Sequence, residues 1–459
     1  MDKIRVINVF VDAPRSPNAP TSKPLPFGGG VKAMEMLASD LDKDLFSSSI
    51  AYVTDFGIEG GTRGRLGAEW DVVPRNEGAF IGFLRGHKPD IVHIYRPGGE
   101  EPFAIEAAKK AGVGAIVETN IFGNLDTSES GKALGQSFQI SKMCAHRYAK
   151  WAGLSAEEFF EKGKVVYCPM DVENFEPIPR AEILKFRRGF GIPDDSPAIG
   201  RISRKDKFKW GDMGINALKR LVREFPGIRY LSNGTPDEVR KALESDPISK
   251  NIVFLDELKR EQVPLFYQSL DVFAYDSMIG ESFGYVIAEA MASRLPVVTN
   301  CTPLRDNAQV ELVDHGVTGL VANTPLNFAR AVSTLLKDKA LARRMGSAGH
   351  DKVKKEFDRK RSVLTLEKAY VETLMKKEGR LDRSVADKYG RVRYFPSKKD
   401  IVDFDSEYAR RLRSAVGGLD PLTRAEMFIY ENFGSILIHK AAGKLVRTLK
   451  LRRILEMAE

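Results

Sequence analysis

The sequence predicts an α/β protein with two doubly wound, Rossmann-like domains that face each other across a cleft, followed by a mostly helical C-terminal extension. Short apolar, β-branched runs alternate with longer amphipathic runs, which is typical of parallel α/β sheets. The alternation occurs in two successive series, and prolines and charges interrupt it at residues 171–180. After residue 378 it gives way to polar, basic, helical sequence. We therefore expect domains at residues 1–172 and 173–378 and a basic helical extension at residues 379–459.

Each series supplies its own strands and helices. In the first, strands are predicted to begin at Ile4, Ser47, Asp90, Gly114 and Lys164, and helices at Val31 and Glu101. In the second, strands are predicted to begin at Pro197, Ile228, Asn251, Asp271, Pro296 and Thr318, and helices at Ile215, Pro264 and Asn327. Doubly wound sheets bind ligands outside the carboxyl ends of their strands, so we expect the functional site there.

The composition is that of an ordinary globular protein, with 43% hydrophobic residues and a net charge of +9. No run approaches the roughly 18 apolar residues of a membrane-spanning helix. The first residues predict a buried strand without a signal-peptide cleavage site, so we expect a cytoplasmic protein. The scattered Cys144, Cys168 and Cys301 indicate neither disulfides nor a metal site. The positive charge suits nucleic acid, anionic lipid or phosphorylated ligands and does not by itself decide among them. No nucleic-acid partner is expected, because no binding module is recognisable.

The stretch from Gly280 to Val298 is the most informative in the sequence. A predicted strand ends just before it, and a helix is predicted to begin near Ser282 or Phe283, with Ser282 as its N-cap. The amides of Phe283 and Gly284 are then expected to point beyond the helix start, where backbone N–H groups bind anions.

Two glutamates mark this helix. Glu281 lies at its mouth, and Glu289 interrupts an otherwise apolar surface, where an unpaired carboxylate is costly. Their separation corresponds to about 12 Å along a helix, which suits one carboxylate near a hexose and the other near a ribose. The alternative is that Glu281 only complements the helix dipole and that Glu289 is solvated. Spacing alone does not separate the two interpretations.

The segment GESFGYVIAEAMASRLPVV resembles the signature of the family 4 retaining glycosyltransferases, in which two glutamates bracket seven residues. The flanking segments LFYQSLDVFAYDS and DHGVTGLVA match that family in order and spacing, and VVYCPMDVENFEP resembles its hinge strand. The resemblance spans residues 3–377 and implies the GT-B fold.

The resemblance also implies roles for individual residues. Glu281 corresponds to the glutamate that holds hydroxyls of the donor sugar, and Glu289 to the one that accepts hydrogen bonds from the ribose. The donor-binding residues expected at the helix start are Ser282, Phe283, Gly284 and Tyr285.

Upstream, the stretch GRISRKDKFKWGD resembles the phosphate clamp of the family, an arginine followed by a lysine. Arg201 and Lys209 are matched to it, and two fixed cations offset the charge that develops on a departing diphosphate. The spacing is longer than in the commonest form of the motif, so Lys205 and Lys207 are alternatives to Lys209. Without the neighbouring motif, a basic surface loop is the simpler interpretation.

A glycine run, Gly28, Gly29 and Gly30, opens the first predicted helix and allows close approach of a phosphate or sugar to the backbone. Ala33 stands where a dinucleotide fingerprint needs its last glycine, so that motif is not satisfied. The resemblance implies that the run lies against the donor diphosphate from the opposite domain, whereas a flexible turn is the alternative.

Two polar residues in the first series are further candidates. His93 lies in the strand PDIVHIYR, where the family commonly has a histidine bordering the cleft, although a structural histidine is the more frequent case. Many members carry another histidine after the next strand, near the donor sugar, and this chain has Asn120 in that region. Asparagine donates and accepts hydrogen bonds but does not titrate.

The C-terminal extension contains two patterns of its own. Asp403-Phe404-Asp405 is a D-x-D sequence, interpreted as surface because no suitable strand precedes it. The segment from His439 is a basic amphipathic helix candidate, which either contacts anionic lipid or packs along the protein. Its cations are Lys440, Lys444, Arg447, Lys450, Arg452 and Arg453.

These features together predict a retaining glycosyltransferase that moves a hexosyl group from a nucleotide-diphosphate sugar to a glycan, lipid-linked or small-molecule hydroxyl. We expect neither a metal nor a cofactor, and the sequence leaves open both homo-oligomerisation and peripheral membrane contact through the C-terminal helix. The alternative is a nucleotide-sugar epimerase or a phosphorylase on the same fold, which product stereochemistry and acceptor dependence distinguish.

Overall fold

The computed structural model describes residues 2–16, 20–99, 102–378 and 383–456, and the chain folds into two compact units. Unit 1 comprises Met1–Pro169 and Phe357–Asp403, and unit 2 comprises Met170–Glu356 and Phe404–Glu459. The chain thus returns to unit 1 after building most of unit 2. This division differs from the expected one, because the C-terminal extension is shared between the units and does not form a module of its own.

Unit 1 is built on a seven-stranded sheet in the order β5-β3-β1-β6-β7-β8-β9, in which every adjacent pair is parallel. The order reverses between β1 and β6, and β2 pairs with β4 in a separate two-stranded sheet. The strands are β1 (Ile4–Val11), β2 (Ser22–Pro24), β3 (Phe46–Thr54), β4 (Gly57–Glu59), β5 (Trp70–Pro74), β6 (Ile91–Gly98), β7 (Ala115–Asn124), β8 (Gln136–Gln139) and β9 (Gly163–Val165). The helices among them are α1 (Gly29–Asp40), α2 (Glu77–His87), α3 (Phe103–Ala111), α4 (Lys142–Ala152) and α5 (Ala156–Lys162).

Unit 2 is built on a six-stranded parallel sheet in the order β12-β11-β10-β13-β14-β15, which reverses between β10 and β13. Its strands are β10 (Ala198–Ile202), β11 (Arg229–Asn233), β12 (Ile252–Leu255), β13 (Val272–Tyr275), β14 (Val297–Thr299) and β15 (Gly319–Val321). Its helices up to residue 356 are α6 (Arg180–Gly189), α7 (Met213–Glu224), α8 (Asp237–Glu244), α9 (Val263–Gln268), α10 (Tyr285–Ala292), α11 (Gln309–Leu312), α12 (Pro325–Lys337) and α13 (Lys339–Glu356).

The remaining helices complete the two units in turn. Unit 1 receives α14 (Arg359–Glu378), α15 (Arg383–Gly390) and α16 (Lys398–Val402), and unit 2 receives α17 (Phe404–Arg413), α18 (Pro421–Asn432) and α19 (Ile436–Glu456). The physical reason is burial: Leu366 and Tyr370 of α14 are fully buried in the same core cluster as Ile4 of β1 and Ile91 of β6. No helix among the described residues is both long enough and apolar enough to cross a membrane.

Local sequence explains where the elements begin. The side chain of Asn76 caps α2 by accepting the amide of Ala79 at 3.1 Å, and Thr324 caps α12 in the same way, with Pro325 at the first helical position. The central strand β6 is buried over its first six residues, as expected for an apolar run between two neighbours.

The predicted fold class, two doubly wound parallel sheets with a helical C-terminal region, is confirmed. The run from Lys164 is the main difference among the predicted strands, because only Gly163–Val165 pairs as a strand. Strands β5 and β8 were not predicted, since the sequences WDVVP and QSFQ are short and carry polar residues. The helix expected from Glu101 begins at Phe103, and Glu101 itself lies outside the described residues.

Candidate active site

The site lies at the carboxyl ends of β10 and β13, the point in unit 2 where the strand order reverses. Arg201 is near the end of β10, and Tyr275 is the last residue of β13. Ligands of doubly wound sheets bind at such a reversal because the two adjacent loops diverge there and leave a crevice. The loops after these two strands carry Lys209 and Glu281.

The backbone of Glu281 is fixed on both sides. Its amide donates to Oε1 of Gln309 at 2.9 Å, and its carbonyl oxygen accepts the amide of Ala308 at 2.7 Å. The preceding Gly280 has a φ of +68°, and a Cβ there would lie 1.7 Å from the carbonyl oxygen of Asp306. Only glycine fits this close approach, so the loop presents Glu281 in one defined position.

The carboxylate of Glu281 has two partners on a single oxygen. The hydroxyl of Tyr275 donates to Oε1, and Nζ of Lys209 lies 2.9 Å from the same atom. Burial, and secondly the negative charge of Glu281, raise the pKa of Tyr275 well above its usual value, so its hydroxyl stays protonated and donates. The side chains of Lys209 and Glu281 are 13% and 14% exposed, so the pair is shielded but still reaches the surface.

The structure separates the three candidate lysines. Lys209 also donates from Nζ to the carbonyl oxygen of Gly280 at 2.7 Å, which ties it to the glutamate loop. Lys205 pairs with Asp237 at 2.5 Å, and the exposed Lys207 lies over the ring of Phe208. Only Lys209 of the three contacts Glu281 in the part of the chain that the structure describes.

Arg201 occupies a different position from the one expected. Its side chain is fully buried over the rings of Trp210 and Tyr275, with 4.4 Å from the guanidinium carbon to the centroid of Trp210. Its Nη2 donates to the carbonyl oxygen of Lys209 at 2.7 Å. Arg201, expected as the second cation of the phosphate clamp, is therefore a buried group that supports the backbone of Lys209.

Asp276 compensates the charge of Arg201. The two side chains are 3.7 Å apart, and Asp276 also accepts the amides of Met213 at 2.9 Å and Gly214 at 3.3 Å at the start of α7. Burial raises the pKa of Asp276, and Arg201 opposes that rise. A carboxylate of the protein itself thus occupies the anion-binding position at the start of α7.

Helix α10 begins later than expected. Its first residue is Tyr285 and its N-cap is Gly284, which has a φ of +102°. The carbonyl oxygen of Gly284 accepts the amides of Ile287 and Ala288, each at 3.0 Å. The prediction of Ser282 as the N-cap was wrong, because the left-handed backbone at Gly284 sets the helix start there. Ser282, Phe283 and Gly284 therefore belong to the loop that precedes the helix.

Glu289 lies on α10 and is also held by a tyrosine. The hydroxyl of Tyr267 donates to Oε2 of Glu289 at 3.1 Å. Burial, and secondly the charge of Glu289, raise the pKa of Tyr267 well above its usual value, which keeps the hydroxyl protonated. Glu289 is half-buried, so it is more than a solvated surface residue.

The glycine run starts α1 in unit 1. Gly28 is the N-cap and Gly29 the first helical residue. A Cβ added at Gly28 would have no other atom within 4 Å. A Cβ at Gly30 would lie 2.6 Å from Cδ1 of Ile121, so a larger residue there would have to displace the end of that side chain. Gly29 is exposed, which leaves backbone accessible at this helix start.

His93 is a core residue of unit 1, not a residue at a cleft. It is fully buried, with Nδ1 2.6 Å from the hydroxyl of Tyr370 and Nε2 2.8 Å from Oγ1 of Thr119. Burial lowers its pKa to about 3, so the ring is neutral at physiological pH. The expectation that His93 borders a ligand is corrected by these contacts, which use both ring nitrogens inside the core.

Asn120 is also fully buried. Its Nδ2 donates to the carbonyl oxygen of Asn124 at 2.7 Å, and its Oδ1 accepts the amide of Asn124 at 3.2 Å. Both ends of the side-chain amide thus shape the end of β7. The expected contact with a donor sugar has no support in this arrangement.

Sequence reasoning did not single out Tyr267, Tyr275, Asp276 and Gln309. The signal for two of them was present, since Tyr-Asp at the end of an apolar strand places two polar groups at the carboxyl edge of the sheet.

Unit 1 has a comparable buried network, in which Nε of Arg96 is 2.5 Å from Glu118 and Nη2 is 2.7 Å from Asp126.

Metal ligands are not gathered at these positions. Within the described ranges, His, Cys, Asp and Glu side chains form no group of three or more that could hold a metal ion. Asp403 of the D-x-D sequence caps the end of α16 and is exposed, while the side chain of Asp405 lies outside those described.

Comparison with known proteins identifies the second unit. Residues 182–352 match the family described as glycosyl transferases group 1. A D-inositol 3-phosphate glycosyltransferase of Corynebacterium glutamicum is 32% identical over 193 residues, which cover 40% of this chain and 45% of that protein. A GDP-mannose-dependent alpha-(1-6)-phosphatidylinositol monomannoside mannosyltransferase of Mycolicibacterium smegmatis is 30% identical over 222 residues, 46% of this chain and 55% of the relative. The chain spans about half the length of these curated relatives.

Solved structures agree with the fold. The crystal structure of Anabaena HepE in complex with UDP has a TM-score of 0.61 at 17% identity and covers 81% of this chain and 100% of its own. Sucrose-phosphate synthase from Thermosynechococcus elongatus has a TM-score of 0.59 at 15% identity, covering 81% of this chain and 99% of its own. The chain therefore has the GT-B fold, and residues 182–352 of its second unit match the glycosyl transferases group 1.

Proposed function

We propose that this protein is a retaining, metal-independent glycosyltransferase of the family 4 type. It moves a hexosyl group from a nucleotide-diphosphate sugar to a hydroxyl group of a glycan, a lipid-linked acceptor or a small molecule. The observation that carries the proposal is the position of Glu281, whose carboxylate is held by Lys209 and Tyr275 at the strand reversal of unit 2. The related M. smegmatis mannosyltransferase, which is GDP-mannose-dependent, and the UDP bound to Anabaena HepE support a nucleotide-sugar donor.

Glu281 is the proposed partner of the donor sugar. A carboxylate whose backbone and side chain are both fixed accepts hydrogen bonds from sugar hydroxyls without first reorganising. Glu289, oriented by Tyr267, is the proposed partner of the ribose hydroxyls. The proposed phosphate-binding and sugar-binding backbone comprises the half-buried Gly28, the exposed Gly29 and the loop of Ser282, Phe283, Gly284 and Tyr285.

The chemistry is a single exchange of bonds at the anomeric carbon. The bond from that carbon to the diphosphate oxygen breaks, and the bond to the acceptor oxygen forms on the same face of the sugar. The acceptor proton passes to the leaving diphosphate. Lys209 neutralises the charge that develops on the diphosphate, and Arg201 supports it by holding the carbonyl oxygen of Lys209.

The test compares the two glutamates. We expect Glu281→Ala to abolish transfer, because the hydroxyls of the donor sugar lose the fixed carboxylate that accepts their hydrogen bonds. Glu289→Ala should mainly raise the Kd for the donor. The donor is first identified by thermal shift with UDP, GDP, ADP and their sugars, since a ligand that binds the folded state raises its stability. Transfer at the wild-type rate by Glu281→Ala contradicts the proposal, and product stereochemistry distinguishes a transferase from an epimerase or phosphorylase.

We further propose that α19 attaches the protein to an anionic membrane surface. Leu437, Leu445 and Leu449 fall on one side of this helix and are 75%, 62% and 47% exposed. His439 and Val446 are buried on the other side, so the helix already packs against unit 2 without using its outer leucines. Lys440 and Lys444 are exposed next to them, and apolar side chains beside cations suit anionic lipid.

The attachment is expected to be weak and sensitive to salt, since each cation near such a surface contributes about 1 kcal/mol. The side chains of Arg447, Lys450, Arg452 and Arg453 lie outside those described. We expect Leu437→Glu/Leu445→Glu to stop sedimentation with phosphatidylserine-containing vesicles at low salt. The matched control is Val317→Glu/Leu326→Glu, which changes two other exposed apolar residues of unit 2.

Unchanged sedimentation of the α19 variant contradicts membrane attachment. Sedimentation velocity of the same variants tests homo-oligomerisation, because a dimer that dissociates on changing Leu437 and Leu445 identifies the surface as a contact between copies. The cytoplasmic location expected from the sequence stays a prediction.

A further inference from the structure

The C-terminal segment contacts a second loop, which hydrogen-bonds to the backbone of Glu281. This loop, residues 302–308, connects β14 to α11 and supplies the amide of Ala308 to the carbonyl oxygen of Glu281 at 2.7 Å. Helix α17 lies beside it, and Nδ2 of Asn307 donates to the hydroxyl of Tyr408. Asn307 is fully buried and Tyr408 is 1% exposed, so this bond is shielded from water.

A continuous chain of hydrogen bonds runs from Tyr408 to the backbone of Glu281. Oδ1 of Asn307 accepts the amide of Thr302 at 2.8 Å, and Nε2 of Gln309 donates to Oγ1 of Thr302 at 2.9 Å. Oε1 of Gln309 then accepts the amide of Glu281 at 2.9 Å. Thr302, Asn307 and Gln309 are all buried, and amide side chains use both their donor and acceptor ends, so each member restrains the next.

The position of the Tyr408 hydroxyl is itself fixed. Its ring packs between Phe404 and Tyr430, with centroid distances of 5.6 Å and 5.5 Å. Arg411, one turn further along α17, lies 2.5 Å from Asp314, just beyond α11. The segment from Thr302 to Asp314 is thus fastened to α17 at Asn307 and at Asp314.

We propose that Tyr408 is a positioning residue of the donor site, which fixes the backbone of Glu281 through Asn307, Thr302 and Gln309. This inference rests on the proposed function of Glu281 and extends the site into the C-terminal segment, beyond the residues 182–352 that match the family. Helix α17 then contributes to the active site indirectly, because it fixes the position of the Glu281 backbone.

The decisive variant is Tyr408→Phe, which removes one hydroxyl and keeps the ring. The matched control is Tyr389→Phe, which removes a buried hydroxyl that donates to Glu367 at 3.0 Å in unit 1. We expect hydrogen exchange at residues 277–284 and 302–312 to accelerate in Tyr408→Phe and to stay at the wild-type rate in Tyr389→Phe. Unchanged exchange in both segments of Tyr408→Phe overturns the proposal, even if its Tm falls.

Kinetics supply a second readout. The donor KM of Tyr408→Phe is expected to rise about three- to tenfold, the size of one lost hydrogen bond, with the Tyr389→Phe value unchanged. The Gln309→Met variant breaks the same chain, so its effect and that of Tyr408→Phe should be less than additive in the double variant. Full additivity contradicts transmission through Gln309. Wild-type protein that turns over no donor refutes the proposed function, while the exchange experiment still decides the role of Tyr408.

Discussion

The ammonium group of Lys209 lies 2.9 Å from a carboxylate oxygen of Glu281. The two residues come from different loops, one after β10 and one after β13, and they meet because those strands are neighbours in the sheet. The contact brings a cation to the glutamate that is proposed to hold the sugar. The charge that develops on a departing diphosphate is then stabilised by an ammonium group that is already fixed in place. Such a group stabilises the charge without the free-energy cost of reorganising during the reaction.

The first prediction concerns the choice of lysine. Lys209→Met is expected to lower kcat/KM for the donor by roughly a hundredfold or more, the usual effect of losing a preorganised electrostatic partner. Lys205→Met and Lys207→Met serve as controls, because these lysines are exposed and do not contact Glu281. A larger loss in either control than in Lys209→Met contradicts the assignment.

The second prediction is that transfer does not require a divalent cation. The proposed stabilisation of the leaving diphosphate uses Lys209 and the backbone at the start of α10, so full activity should survive treatment with EDTA. The measurement is transfer rate before and after chelation, with magnesium or manganese added back. A complete loss that magnesium reverses is incompatible with this proposal.

The third prediction concerns Asn120. Asn120→His is expected to destabilise unit 1 by about 1–3 kcal/mol, because an imidazole does not satisfy both the amide and the carbonyl oxygen of the partly buried Asn124. Thermal denaturation measures the change, and Asn124→Ala, which keeps those backbone groups, is a useful comparison. A variant with the wild-type Tm and a new neutral-pH inflection in its rate would instead place residue 120 at the donor.

The fourth prediction is the pH dependence that His93 imposes. Its pKa of about 3 in the folded state is depressed below the unfolded value, so its contribution to stability is present above about pH 6.5 and is lost as the pH falls toward 3. His93→Gln should therefore flatten the decline in Tm between pH 6 and 4. Its rate profile from pH 6 to 8 should match wild type. An inflection near neutrality that disappears in His93→Gln would falsify the core assignment.

The fifth prediction concerns Lys164, which is buried beside the rings of Phe160 and Tyr394. Burial lowers its pKa to about 8, below the unfolded value of 10.5, so its contribution to stability is present above that value and is lost as the pH falls toward 8. Relative to Lys164→Met, the free energy of unfolding of the wild type should increase by about 1 kcal/mol for each unit that the pH rises between 8 and 10. Thermal midpoints at pH 7.5 and 9.5 measure this. A constant difference between the two proteins argues against a depressed pKa.

The sequence was sufficient for the parts of the fold that local pattern determines. Long apolar strands such as β1 and β6 were predicted within one or two residues, because β-branched runs identify buried parallel strands. The four-residue β8, QSFQ, has no such pattern and is a strand only because its neighbours pair with it. The start of α10 was misplaced because a positive φ at Gly284 is a property of the folded loop.

The site shows the same division. The resemblance to known motifs singled out Glu281, Glu289 and Lys209, and it left Lys205 and Lys207 as alternatives to Lys209. The burial of His93 depends on Tyr370, and the link from Tyr408 to Asn307 joins the C-terminal segment to the loop before α11. Partners this far apart in sequence leave no local signal, so only the fold brings them to notice.

The return of the chain to unit 1 has a consequence for synthesis. Proteins emerge from the ribosome N-terminus first and fold domain by domain where they can. The core of unit 1 contains Leu366 and Tyr370, so its apolar surface stays open until the whole of the central region has been translated. Unit 2 in turn is completed only by Phe404–Glu459, so each unit waits for a segment from the C-terminal part of the chain. A fragment ending at Pro169 should therefore be prone to aggregation.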